Sequence, residues 1–182
     1  MSLDQRLIRD CRKNSRKAQN ELFGCFKGLV MSISRRYSNN VENCEDVFQE
    51  CFIQIFKSLT KTKVDISNLD AWIARIAINT NISFYYKSGK VKHEAFEGDV
   101  LDESHKDVLD QISNKELMDC ISEIPDGYRV IFNLYFIDGY KHREIAQMLK
   151  ISESTSRSQL TRAKEYLRKK LESQGICRYE AS

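Results

Sequence analysis

The sequence predicts an all-helical protein, two small helical domains joined by an acidic linker, with a helix-turn-helix in the second. Three observations lead there. A single Pro and seven Gly, against 30% charged and 41% hydrophobic residues, leave few turns for β-hairpins and favour amphipathic helices. Apolar residues recur at steps of three and four through both halves of the chain. Charge is segregated: residues 1–88 carry 14 Lys/Arg against 9 Asp/Glu (+5), residues 89–113 carry 3 against 7 (−4), and residues 114–182 carry 12 against 10 (+2). Those boundaries define the expected domains, 1–88 and 114–182, and the linker, 89–113.

A short helix is expected around Leu3 to Cys11. From Arg16 to Tyr37, Ala18, Leu22, Phe23, Phe26, Leu29, Val30 and Ile33 form one helical stripe. Between Cys44 and Leu59 the residues Val47, Phe48, Cys51, Phe52, Ile55, Phe56 and Leu59 share a face, while Asp46, Gln49, Glu50, Gln54 and Lys57 lie on others. A polar loop with Lys61, Lys63 and Asp65 follows. Ser67 or Asn68 can then cap a helix from Leu69 to about Tyr86, with Leu69, Trp72, Ile73, Ile76 and Ala77 inward. The linker loses periodicity and turns acidic, with a short helix near its end. The second domain starts near Asn114, where Leu117, Met118, Ile121 and Ile124 share a face. Pro125 suits the first turn of the next helix, which carries Val130, Ile131, Leu134 and Tyr135 and ends at Gly139.

Two helices remain, His142 to Leu149 and about Glu153 to Leu171, separated only by Lys150-Ile151-Ser152. Ile145, Ala146 and Leu149 face inward in the first. In the second, Ser152 is a good N-cap, and Ser156, Leu160, Ala163, Leu167 and Leu171 make the inner stripe. Ser154, Arg157, Ser158, Thr161 and Arg162 are left outward near its start. In a helix-turn-helix, the early outward residues of the second helix enter the DNA major groove. Arg157 and Arg162 can each make a bidentate contact with a guanine, worth about 1–3 kcal/mol of discrimination. Lys141, Arg143, Lys164, Arg168 and Lys169 suit phosphate contacts, which add affinity without sequence information. The segment Lys141 to Lys170 holds 9 basic and 3 acidic residues, a charge density that suits a phosphate-facing element.

Other classes find little support. The most apolar stretch, Leu69 to Tyr86, is broken by Asp70 and Arg75, and the first residues, MSLDQRLIRD, hold no apolar signal core. The expectation is a cytoplasmic protein without membrane insertion. Six cysteines stand without a CxxC pair, and three histidines lack zinc-ligand spacing, so neither metal nor cofactor is expected. Cys51, on an apolar helix face, reads as a small buried residue. An enzyme is disfavoured: the sequence has no Gly-rich phosphate loop, ligand cluster or nucleophile with a base.

The stretches ELFGCFKGLVMSISRRY, EDVFQECFIQIFKSL and LDAWIARIAINT, and then IPDGYRVIFNLYFIDGYKHREIAQMLKISESTSRSQLTRAKEYLRKKL, resemble the two conserved domains of the extracytoplasmic-function group of bacterial RNA polymerase sigma factors. The resemblance covers nearly the whole chain. It implies a non-enzymatic subunit that binds core RNA polymerase, reads promoter DNA and helps to melt it, with an anti-sigma factor as a further partner. It implies that Asp46, Gln49 and Glu50 meet the polymerase clamp. Asn79, Thr80 and Ser83 would lie at the minus-ten element. The loop Lys61 to Asn68, with Lys63, would hold a flipped base, and such a loop must offer a pocket, because unstacking costs a few kcal/mol. Tyr85 and Tyr86 either stack on bases or close the core. Arg157, Ser158, Thr161 and Arg162 would read the minus-thirty-five element, with Lys141 and Lys164 beside them.

The chain departs from the family pattern in three places. Ser154-Thr155-Ser156 stands where Gly-Thr-Val is common, which puts a hydroxyl on the inner stripe and is expected to loosen helix packing. Gln159 replaces a common basic residue, and SFYYKSGK has fewer arginines than usual. The two promoter elements lie roughly 70 Å apart at about 34 Å per turn. The 25-residue linker averages about 25–30 Å as a coil and reaches about 80 Å extended, so simultaneous contact requires it stretched. The competing reading is a stand-alone regulator that uses the same helix-turn-helix.

Overall fold

The computed structural model describes residues 3–38, 41–61, 66–87 and 119–173. All its regular elements are helical, and the chain divides into two compact units at Gly89–Lys90. The expected acidic linker and the short helix expected near its end, along with Asn114, Leu117 and Met118, lie outside the described residues.

In the first unit, α1 (Leu3–Arg12), α2 (Arg16–Tyr37), α3 (Val41–Lys61) and α4 (Leu69–Lys87) pack around one core. The Ser15 hydroxyl accepts the Ala18 N–H and starts α2 at Arg16. Asn68 starts α4, its Oδ1 accepting the Ala71 N–H at 2.9 Å, so of the two expected caps it is Asn68 that acts. Helix α3 begins at Val41, three residues before the expected Cys44. Leu22, Val30, Ile55, Leu59 and Ile73 are fully enclosed. Helix α4 packs against both α2 and α3 and therefore buries more than one side: Leu69, Ile73 and Ala77, and also Ile78, Thr80, Asn81 and Ile82. Trp72 and Ile76 are only half-buried.

Two local findings refine the expected core. Phe23 was placed on the inner stripe of α2 but is 40% exposed, its ring lying against Phe52 (centroids 4.7 Å) and Phe48 (6.0 Å) at the rim of the α2–α3 contact. Cys51 is buried as expected. Its sulfur lies 3.8 Å from the Ala77 carbonyl and 3.7 Å from Nδ2 of Asn81, which itself donates to Ala77 O at 2.8 Å. Burial pushes the Cys51 thiol up to about 11, only partly opposed by the Ser34 and Thr80 hydroxyls, so it stays protonated and inert at neutral pH.

The second unit contains helical residues 119–122, α5 (Asp126–Phe132), a π-helical segment (Asn133–Ile137), α6 (His142–Leu149) and α7 (Glu153–Ser173). Pro125 sits one residue earlier than expected, as the N-cap of α5, where its extended backbone (φ −51°, ψ 141°) is equally compatible with the ring. The π segment was not anticipated: Asp138 N–H reaches back five residues to Asn133 O at 2.9 Å. Gly139 then takes φ +75°, which lets Tyr140 N–H close on Leu134 O at 2.9 Å, the terminating role its sequence position suggested. Ile124, Ile131, Leu134, Ile145, Ala163 and Leu171 fill the core under α7.

One charged residue belongs to that core. Arg129 is 1% exposed, and its guanidinium donates to Ser122 O (3.0 Å), Ile124 O (3.2 Å) and Asp126 Oδ1 (2.8 Å). It thereby ties the end of the preceding helical residues to the first turn of α5 across Pro125.

Candidate nucleic-acid interface

Helix α6 starts with a half-formed capping box. Glu144 Oε2 accepts the Lys141 N–H at 2.8 Å, but Lys141, at the N-cap, has no side-chain acceptor to offer in return. At the other end, Lys150 is in the left-handed region (φ 52°, ψ 41°), so that Ala146 O accepts both its N–H and that of Ile151 (3.1 Å). A non-glycine residue in this conformation costs about 1–2 kcal/mol, part of which glycine returns through its greater unfolded-state freedom. Lys150→Gly is therefore expected to stabilise the second unit by about 0.5–1 kcal/mol, seen as a higher thermal midpoint. A lower midpoint would show that the lysine side chain itself contributes to the turn.

Ser152 caps α7 as expected: its hydroxyl accepts the Thr155 N–H at 2.9 Å and lies 2.7 Å from the hydroxyls of both Ser154 and Thr155. Ser156, Leu160, Ala163, Leu167 and Leu171 are buried, which fixes the rotation of α7 and leaves the predicted reading residues on the other side. Arg157 is exposed and pairs with Glu153 at 2.7 Å one turn earlier. Ser158, Thr161 and Arg162 are half-buried. Ser158 Oγ donates to Thr155 O (3.1 Å) and Thr161 Oγ1 to Arg157 O (3.2 Å), which leaves their oxygens as acceptors. Lys141 is exposed, and Lys164 places its ammonium 5.4 Å from the centre of the Phe136 ring. Ala146, expected inward, is half-buried.

Ser156 lies on the inner stripe as expected. Its hydroxyl is fully buried but lies 2.9 Å from Nδ1 of His142, whose ring stacks on Tyr135 (centroids 4.7 Å, planes 25° apart). His142 was not singled out by sequence pattern, because its partner is 14 residues away on another helix.

In the first unit, Asp46 and Gln49 are exposed, and Glu50 is half-buried with Gln54 Nε2 donating to its Oε1 at 2.6 Å. Ile53, 45% exposed, occupies the same outward row, four residues from Gln49 and seven from Asp46. An isoleucine spaced this way among polar positions was the available signal, and it was missed. Asn79 and Ser83 stand four apart on the open side of α4. Thr80 does not join them: it is 8% exposed, and its hydroxyl donates to Ile76 O at 2.8 Å, because the side of α4 that carries it packs into the unit. Lys61 is exposed at the end of α3, Asn68 is exposed with its Oδ1 committed to the cap, and Lys63 lies outside the described residues. Tyr85 and Tyr86 are both half-buried, and burial pushes the Tyr86 hydroxyl up to about 12. Among the described residues, no group of three or more His, Cys, Asp or Glu could hold a metal, and no helix is long and apolar enough to cross a membrane.

Comparison with known proteins places both units. Residues 22–91 match the model of sigma-70 region 2, and residues 114–167 match that of sigma-70, region 4. The ECF RNA polymerase sigma-E factor of Escherichia coli K12 is 27% identical over 183 residues, covering 93% of this chain and 94% of its own. That of Haemophilus influenzae is 24% identical over 182 residues, covering 93% and 95%. Among solved structures, the sigma factor RpoE of Bartonella quintana, in complex with the anti-sigma factor NepR, aligns with a TM-score of 0.52 at 17% identity, over 84% of this chain and 96% of that one. CnrH, in complex with the cytosolic domain of CnrY, aligns with a TM-score of 0.51 at 17% identity, over 94% and 99%. At that identity the two structures speak for the fold. With both regions present in order along one helical chain, the protein belongs to the sigma-70 family of RNA polymerase sigma factors, in its extracytoplasmic-function group.

Proposed function

We propose that this sigma factor distributes its contacts over three surfaces: the outward row of α3 on core RNA polymerase, the open side of α4 on the minus-ten element, and the first half of α7 on the minus-thirty-five element. As a family member, the chain binds core polymerase and directs it to promoter DNA. The observation that carries the assignment is the row Asp46, Gln49, Glu50 and Ile53, a polar strip with one exposed isoleucine on the side of α3 away from its buried stripe. A stand-alone regulator has no use for that row. For a sigma factor it supplies acidic and amide groups around an apolar contact, the composition expected of a docking site.

On α7, Arg157 and Arg162 are the base-reading candidates, with Ser158 and Thr161 as acceptors between them. The exposed Glu153–Arg157 pair is worth about 0–1 kcal/mol, so the guanidinium can be released to a base at little cost. Lys141 and Lys164 flank this face as phosphate contacts. On α4, Asn79 and Ser83 are the minus-ten candidates. Thr80 supports them from within, and Lys61 and Asn68 frame the adjacent loop. An anti-sigma partner is proposed from the company that the two solved relatives keep, and as a sigma factor the chain is proposed to act in the cytoplasm and not as an enzyme.

The test is transcription from matched promoter DNA by core polymerase with and without the protein. Promoter-dependent stimulation is expected. Absence of stimulation, combined with tight binding of the chain alone to duplex DNA, would favour the regulator.

A further inference from the structure

The contact between His142 and Ser156 does more than fill space. Both side chains are polar and at least nine-tenths buried, and the Ser156 hydroxyl in particular is costly to bury without a hydrogen-bond partner. His142 opens α6, and Ser156 is the fourth residue of α7, immediately before Arg157. The connection Lys150–Ser152 already holds the start of α7 to the far end of α6, and the Nδ1–Oγ contact adds a second attachment at the near end. Tyr135, from the π segment, stacks on the imidazole and limits how far the ring can turn.

The consequence is rotational. An apolar contact at this position tolerates sliding, whereas a hydrogen bond weakens steeply with angle. Turning α7 by about 20° about its axis would carry groups on its surface roughly 2 Å sideways, given a helix radius of about 5–6 Å. Bidentate contact with a base edge does not survive such a shift. We propose that His142 and Ser156 form a positioning pair that sets the rotation of the recognition helix, and through it the promoter discrimination of Arg157 and Ser158. This rests on the reading of α7 as the base-reading helix.

Ser156→Thr and Ser156→Val test it as near-isosteres that differ in the hydroxyl alone, with Ser156→Ala added as a variant that introduces no extra volume. Core polymerase with each full-length variant is assayed on a matched promoter and on single-base changes in its minus-thirty-five element, and the matched-to-mismatched ratio is measured beside the thermal midpoint. The Val and Ala variants are expected to lose about tenfold of that ratio, and the Thr variant to keep it. His142→Ala should lose the same amount, and combining it with Ser156→Ala should cost no more than either alone. Equal ratios for Thr and Val, or losses that multiply in the double variant, would overturn the proposal. Arg157→Ala serves as the separating control: if it leaves the ratio unchanged, the reading of α7 itself fails, and if it collapses the ratio while Val and Ala do not, only the positioning pair is refuted.

Discussion

Arg129→Ala is expected to cost the second unit about 3–5 kcal/mol, a large part of the stability of a domain this small. The loss has two sources. The part-buried Asp126 carboxylate would lose this guanidinium, and the carbonyls of Ser122 and Ile124 would lose the hydrogen bonds it donates. A cavity adds to both, since the side chain is 1% exposed. Arg129→Lys should recover only part of the loss, because an ammonium presents one point charge where the planar guanidinium reaches three acceptors at once. Hydrogen exchange checks this locally: amides of Val130, Ile131 and Leu134 should lose protection, while those of α2 and α4 keep theirs. Unchanged protection in α5 would show that the guanidinium is dispensable.

The second large effect is expected at the row on α3. Asp46→Ala, Gln49→Ala and Glu50→Ala together should weaken binding to core polymerase at least about 30-fold, roughly 2 kcal/mol or more, the scale of interface residues that dominate affinity. Ile53→Ser should add to the loss. None of the four is buried, so helicity and thermal midpoint should be those of the unaltered chain. Titration of a fluorescently labelled chain with core polymerase measures it, and an unchanged dissociation constant would remove this row from the interface.

How much of this was legible beforehand depends on the kind of contact involved. Helix α2 runs from Arg16 to Tyr37 as its stripe suggested, and the helix-turn-helix fell where Ser152 and the buried stripe of α7 placed it. Those features repeat within one helix, where period and capping are visible. Thr80 was misplaced for the opposite reason: α4 is buried on more than one side, so its apolar run points to no single outward face. Arg129 has backbone carbonyls among its partners, and His142 finds Ser156 on a neighbouring helix, so neither leaves a trace in spacing. The π segment depends on a local hydrogen-bond register that an apolar stripe does not encode. In the site, the outward sets on α3 and α7 were readable as what the buried stripes left over. What was not readable was how they are held: Glu153 on Arg157, Phe136 under Lys164, and the buried pair behind Ser156.

The two DNA-facing surfaces, in two separate units, are proposed to act together only on polymerase. Footprinting of one promoter fragment, by the chain alone and by the chain with core polymerase, tests it most directly. No protection by the chain alone is expected at concentrations where the complex protects both the minus-ten and the minus-thirty-five elements. Protection of either element by the chain alone, unchanged when polymerase is added, would contradict it.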